Sequence, residues 1–326
     1  MSRLMPLPGL LPALLALVLA AVPANAQQAR SFVSGLGNDA NAPNCTRTAP
    51  CRTFQTAHDN TLANGEITVL DPGSYGSVTI NRNISIINDG VGETGILVSG
   101  GGTAITVNAM GAAVTLRGLT IKGIGFGGGN GINFMTGAAL NVENGTIRNL
   151  DGMNVGNAIL FMPGTTAVLQ VTNTIITDNG ANAILIAPTG VAGAVAVVDH
   201  VGLYNNGFAG INANGLGSTG GRIAVVATDT VASNNGPPGN GAGFLAQTTG
   251  GFAVVHLTMV RCVAIANAGF GVWTIGTGAN IYVNQSTITE NGNGWVAGGG
   301  PIFTYGNNAV FNNTANEGAQ TPITAK

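Results

Sequence analysis

Three side chains with acid–base and anion-binding chemistry recur in one column of the sequence: His200, Asp229 and Arg261. Each lies three residues before an apolar position, namely Leu203, Ala232 and Ala264. An imidazole can take or give a proton near neutral pH, and a carboxylate can orient it. A guanidinium can clamp the carboxylate of a uronic acid. The same column holds Asn144 and Asn173 before these residues and Gln285 after them. It can therefore also be a turn column in which Asp229 merely offsets His200 and Arg261. The other two histidines stand in different settings, His58 on an expected helix and His256 inside an apolar strand.

A column exists because the chain restates one pattern. Segments such as VTLRGLTIKG, LNVENGTIRN, LQVTNTIITDN and IYVNQSTITEN align so that Ile121, Ile147, Ile176, Leu203, Ala232, Ala264 and Ile288 share one position. Five residues upstream, Leu116, Val142, Val171, Val198, Ala227, Met259 and Val283 share another. Alternation over three or four residues, broken by turns, predicts short strands, about three per repeat. One such coil cannot bury its own apolar face, whereas stacked coils about 4.8 Å apart bury a continuous core. The repeats lack helix-forming stretches, and their strands are too short for an outer-membrane barrel. The small Ala232 and Ala264 predict a core that narrows at their coils.

Asn179, Asn206, Asn235, Asn267 and Asn291 form a second recurring column at turns. Stacked amides can bond one another and the turn backbone, so an asparagine ladder is expected. Thr53 to Leu62 is the one helix-like stretch and would cap the N-terminal end of the core. The expected organisation is a leader over 1–26, a loop and capping helix over 27–66, coils over 67–313 and a loosely ordered tail over 314–326. The leader reading rests on Arg3, the apolar run from Leu10 to Val22 and the small-x-small site Ala24-Asn25-Ala26, which predicts a mature chain from Gln27. A secreted or periplasmic location follows, with no membrane-spanning segment after cleavage. An oxidising compartment makes Cys45 and Cys51, six apart, a disulfide pair. Cys262 reads as a small buried hydrophobe.

Charged residues are only 7% of the 326, and the formal net charge is −2. No basic patch suited to phosphate binding exists, so nucleic acid is not an expected partner. The Asp39 loop (Gly37–Asn41) reads as a turn held by Asx side chains rather than a calcium loop. The runs Gly127–Gly129 and Gly298–Gly300 read as turns.

The opening RSFVSGLGNDANAPNCTRTAPCRTFQTA resembles that of secreted pectin-lyase-like proteins. EITVLDPGSYGSVTI and TYGNNAVFNN resemble bacterial right-handed parallel β-helix repeat proteins. The resemblance implies an all-β, single-stranded right-handed parallel β-helix with a short N-terminal capping helix. That fold hosts lyases, hydrolases, adhesins and proteins without known activity, so it does not select a function. Of the motifs known for polygalacturonases of this fold, only N-x-D occurs, as Asn149-Leu150-Asp151. The clustered acids of calcium-dependent pectate lyases are missing, and no cofactor is expected. The leading expectation is an exported scaffold or glycan-interaction protein without an evident catalytic site, with a polysaccharide or cell-surface glycan as partner. Trp273, Trp295, Tyr282 and Tyr305 would offer sugar-stacking surface or ordinary packing. The alternative is a divergent polysaccharide lyase or glycoside hydrolase acting on uronate-containing polysaccharide through His200, Asp229 and Arg261.

Overall fold

A computed structural model of the protein describes residues 28–124, 129–151, 156–315 and 320–324. The expected leader, and Gly127 and Gly128 of the first glycine run, lie outside the described residues. The described chain winds as a right-handed parallel β-helix of three sheets, which we name A, B and C, with 12, 10 and 9 strands. One coil shows the path. Ala194–Asp199 lies in sheet A, Gly202–Tyr204 in sheet B and Ala209–Asn214 in sheet C, before Arg222–Thr228 re-enters sheet A.

Both apolar columns of the sequence are vertical stacks. In sheet B, Ile121, Ile147, Ile176, Leu203, Ala232, Ala264 and Ile288 pair in register. In sheet A, Leu116, Val142, Val171, Val198, Ala227, Met259 and Val283 do the same. Their side chains point into the single core. The core narrows at Ala232, where a β-carbon on Gly210 would lie 3.0 Å from the alanine methyl.

The asparagine ladder runs through the core side of the turn from sheet B to sheet C. Asn179 Nδ2 donates to Asn206 Oδ1 at 2.9 Å, and the chain continues through Asn235, Asn267 and Asn291 to Asn313. A second amide ladder flanks sheet C: Gln247, Asn212, Asn182, Asn157 and Asn130. Its sequence signal is an Asn two residues before Ile132, Ile159 and Ile184.

Outside the first ladder, each turn carries a residue in the left-handed region: Asp178, Asn205, Asn234, Ala266 and Glu290, with φ of 53–58°. Asn234 donates to Asn205 Oδ1, and Asn205 to Asp178 Oδ1, on the surface. Ala266 has no side chain to join them and disfavours this φ. Ala266→Asn is expected to raise stability by about 0.5–1 kcal/mol, measured by denaturant titration.

The N-terminus differs from the sequence reading in two places. Gln28–Val33 is a strand at the edge of sheet A, paired in parallel with Thr61–Val69. Alternation hides it because one inward residue is Ser31, whose hydroxyl is hydrogen-bonded to that of Thr61. The helix covers only Phe54–Asp59. Thr53 caps its start, while Asn60 Nδ2 and Thr61 Oγ1 donate to the carbonyls of Thr56 and Ala57 and end it. It packs on the first strands of sheets A and C, closing that end of the core. At the other end, Thr321–Pro322 pairs with Phe303–Thr304.

His58 of the cap is fully buried. Its Nδ1 meets Asp59 Oδ1 at 3.0 Å, and Asn81 N donates to its Nε2. Burial, opposed by Asp59, holds its pKa below 6.5. The unfolded chain therefore binds the proton first as pH falls, and stability is lost below about pH 6.5 until the folded pKa is reached. His58→Gln is expected to flatten that slope in denaturation curves measured between pH 7 and 5.

Candidate functional site

The turn from sheet A to sheet B builds a row of outward side chains. Asn144, Asn173, His200, Asp229, Arg261 and Gln285 all sit at φ between 47° and 53°. Asparagine and aspartate tolerate this conformation; for histidine and arginine it costs roughly 1–2 kcal/mol. Bonds between coils hold it in place: His200 N donates to Thr228 O, Asp229 N to Val260 O and Arg261 N to Asn284 O. The next residue in each turn, Val201, Thr230 or Cys262, points into the core. The row is thus fixed by backbone stacking, not by a flexible loop.

His200, Asp229 and Arg261 come together on this row, and Asp199 joins them. Arg261 holds Asp229 through two parallel bonds, Nε to Oδ1 at 2.8 Å and Nη2 to Oδ2 at 2.6 Å. The guanidinium keeps the Asp229 carboxyl below the usual carboxylate range. Asp199 Oδ2 lies 2.9 Å from His200 Nδ1, and Thr228 Oγ1 donates to Asp199 Oδ1. The Asp199 carboxylate raises the His200 pKa above 6.5. His200 Nε2 has no partner among the described residues. Asp199 precedes His200 in the sequence but ends the sheet A strand Ala194–Asp199, so it lies outside the column.

Tyr204 completes the surface. A β-carbon on Gly202 would sit 2.4 Å from Tyr204 Cε2 and 2.7 Å from its Cζ, so the ring folds back over Gly202. An open depression of about 350 Å³ runs beside it, lined by Asn173, Ile175, His200, Tyr204, Asp229 and Val231. Along the same column of sheet B, Tyr204 pairs with Thr177, Thr177 with Arg148, and Arg148 with Lys122. Arg30, Arg117 and Arg261 have acidic partners. Lys122 and Arg148 have none among the described residues, and the buried Arg148 Nε lacks a hydrogen-bond partner.

Ligand atoms of Asp199, His200 and Asp229 lie within 4.8 Å of one another. They do not fit calcium, which takes six to eight oxygens: the set has two carboxylates and a nitrogen, and Arg261 already neutralises one carboxylate. The Asp39 oxygens accept from Arg52 N, Thr53 N and Thr53 Oγ1, tying the loop to the helix start. Cys45 and Cys51 are joined in a disulfide, and Cys262 is buried with its thiol pushed up to about 11 by burial. Of the late aromatics, Trp295 is core. Trp273 stacks on Phe270, and Tyr282 stacks between His256 and Phe303. Tyr305 is exposed.

No protein-family model matches the chain, and no curated protein matches it in sequence. Among solved structures, the pectate lyase Pel9A is similar with a TM-score of 0.52 and 17% identity, over 84% of this chain and 74% of that one. A GH136 lacto-N-biosidase from Eubacterium ramulus overlaps with a TM-score of 0.38 and 11% identity, over 90% of this chain and 67% of that one. Three parallel sheets wound coil upon coil, together with the likeness to Pel9A, give this chain a right-handed parallel β-helix fold.

Proposed function

We propose that the protein is an exported glycan-binding β-helix that holds an acidic polysaccharide along the outward face of sheet B. The observation that carries this reading is the strip formed by Lys122, Arg148 and the flat Tyr204 ring, ending at the His200–Asp229–Arg261 row. Unpaired cations one coil apart repel each other and favour an anionic ligand. A ring lying flat on the sheet presents its face to a sugar. The rigid row and the coil spacing would hold successive sugar units in register with the stack. Export rests on the leader-like N-terminus and agrees with the Cys45–Cys51 disulfide.

Affinity electrophoresis in gels containing polygalacturonate, alginate or a neutral glucan tests the reading. Retardation is expected in the acidic gels alone. Tyr204→Ala and Arg148→Ala are each expected to weaken it about tenfold. Retardation should strengthen as pH falls through the raised His200 pKa, because the imidazolium adds a third cation. Equal mobility in all three gels would remove the proposal.

One observation favours cleavage as well as binding: Asp199 orients His200 and leaves Nε2 open to a ligand. As a general base, His200 must be neutral, so release of unsaturated ends from a uronate panel should rise with pH above about 6.5. His200→Gln is expected to abolish release while leaving retardation at high pH intact. No released ends from wild type across the panel would confine the protein to binding.

A further inference from the structure

The cross-section of the helix is chemically divided. In six successive coils, sheet C, the turn leading to sheet A and sheet A up to the penultimate residue of each strand span residues 105–116, 132–142, 159–171, 184–198, 209–227 and 242–259. Arg222 is the one Lys, Arg, Asp or Glu in these segments, and His256 is their only histidine. Arg117, Glu143 and Asp199 end their sheet A strands beside the row, and the other charged groups of these coils lie at sheet B and the turns on either side of it.

The uncharged side is also the apolar one. Each coil exposes one large hydrophobic at or beside the turn into sheet A: Met110, Met135, Met162, Val191, Leu216 and Phe252. Val191 is 76% exposed and Met110 87%. The adjoining outward face of sheet A exposes Val168, Val195, Val197, Val226 and Val254; Val168 pairs with Val195 and Val197 with Val226, while Val254 lies opposite Arg222. These eleven residues are more than half of the nineteen large hydrophobics exposed among the described residues. With whole-residue exposures of 36% to 87%, they leave on the order of 900 Å² open, backbone included, comparable with the ~800 Å² each partner buries in a standard interface. An isolated soluble chain rarely displays a continuous apolar patch of that size.

We propose that this face is a self-association surface, and that a second copy of the chain covers it through a two-fold contact of sheet A and its turn. A membrane surface or an acidic polymer would be selected by cations, and Arg222 alone does not supply them. A surface without charge pattern is complementary to another of its kind, and a twisted β-face of valines packs on its equivalent at about 10 Å. The row and the sheet B strip remain outside the contact, so the inference is independent of glycan binding.

Sedimentation equilibrium on the purified mature chain tests it. Wild type is expected to sediment at twice the monomer mass at micromolar concentration. Val195→Lys combined with Val226→Lys should raise the dimer dissociation constant at least about a hundredfold. Far-ultraviolet circular dichroism would verify that this variant folds. Val191→Asp, in an exposed turn, gives a second disruption should the double variant misfold. Ile175→Lys, on the outward face of sheet B, should leave the dimer intact. A wild-type monomer at about 100 μM would overturn the inference, as would a dimer unaffected by both face variants. A monomer that sediments with anionic phospholipid vesicles or with insoluble glycan, and loses this with the valine variant, would assign the face to that ligand instead.

Discussion

Replacing Asn235 with aspartate is expected to leave the protein near wild-type stability at about pH 4. Above that, about 1.4 kcal/mol should be lost per pH unit, until the loss reaches roughly 3–5 kcal/mol. Asn235 is fully buried. Its Oδ1 accepts from Asn206 N and Asn206 Nδ2, and its Nδ2 donates to Leu203 O and Asn267 Oδ1. A protonated carboxyl can keep both accepted bonds but donate only one of the other two. An ionised carboxylate donates neither and places its charge against two oxygens. The folded pKa of the new group is therefore raised. A group with a raised pKa is stabilising below its unfolded value and loses that contribution as pH rises towards the folded value. Urea denaturation of both proteins at pH 4, 5, 6 and 7 gives the difference curve. A flat difference would mean that the ladder amides are not closed to water.

Ile176→Ala is expected to cost about 2–5 kcal/mol. Ile176 is fully buried and stacks in register between Ile147 and Leu203. Its strand neighbour Thr177 faces outward and donates to Asp178, so Thr177→Ala should shift stability by no more than about 0.5 kcal/mol. Coils contact mainly their neighbours, so damage should begin locally. Hydrogen exchange of the Ile176→Ala variant should show lost protection around residues 140–210 while the capped N-terminal coils keep theirs. Equal loss throughout would mean that the stack unfolds as one unit.

These two experiments use positions that were legible in the sequence. The Ile176 column and the Asn235 column could be found because every coil imposes the same demand there, so a constraint repeats at each turn. The three members of the candidate row were found in the same way. What escaped the sequence was set by relations without repetition. The Gln28–Val33 strand faces a cap rather than another regular coil, so Ser31 replaces the inward apolar residue. The helix end depends on side-chain bonds made by Asn60 and Thr61. Tyr204 matters at the site because Gly202 leaves room for its ring, and no column of residue types encodes that direction. The second amide ladder mixes strand and turn positions, with Asn212 and Gln247 reaching across from sheet C, which blurs its spacing.

The two ladders have opposite directions. In the Asn179 series each side-chain amide donates to the coil that follows it. In the Asn130 series each donates to the coil that precedes it. Backbone N–H groups bond the Oδ1 atoms of Asn235, Asn267 and Asn291 in the first series and of Asn130 and Asn157 in the second, which fixes the orientation of those amides. Through the coils that carry both series, a chain emerging from its N-terminus would therefore finish on an unfinished surface with a donor at one corner and an acceptor at the other. The next coil is accepted only if it brings the complementary pair, and a coil entering out of frame sets donor against donor. Asn313 repeats the bonds that Asn291 makes to backbone, donating to Ile288 O and Phe311 O as Asn291 does to Ala264 O and Thr289 O. The growing end thus carries a two-point address for its successor.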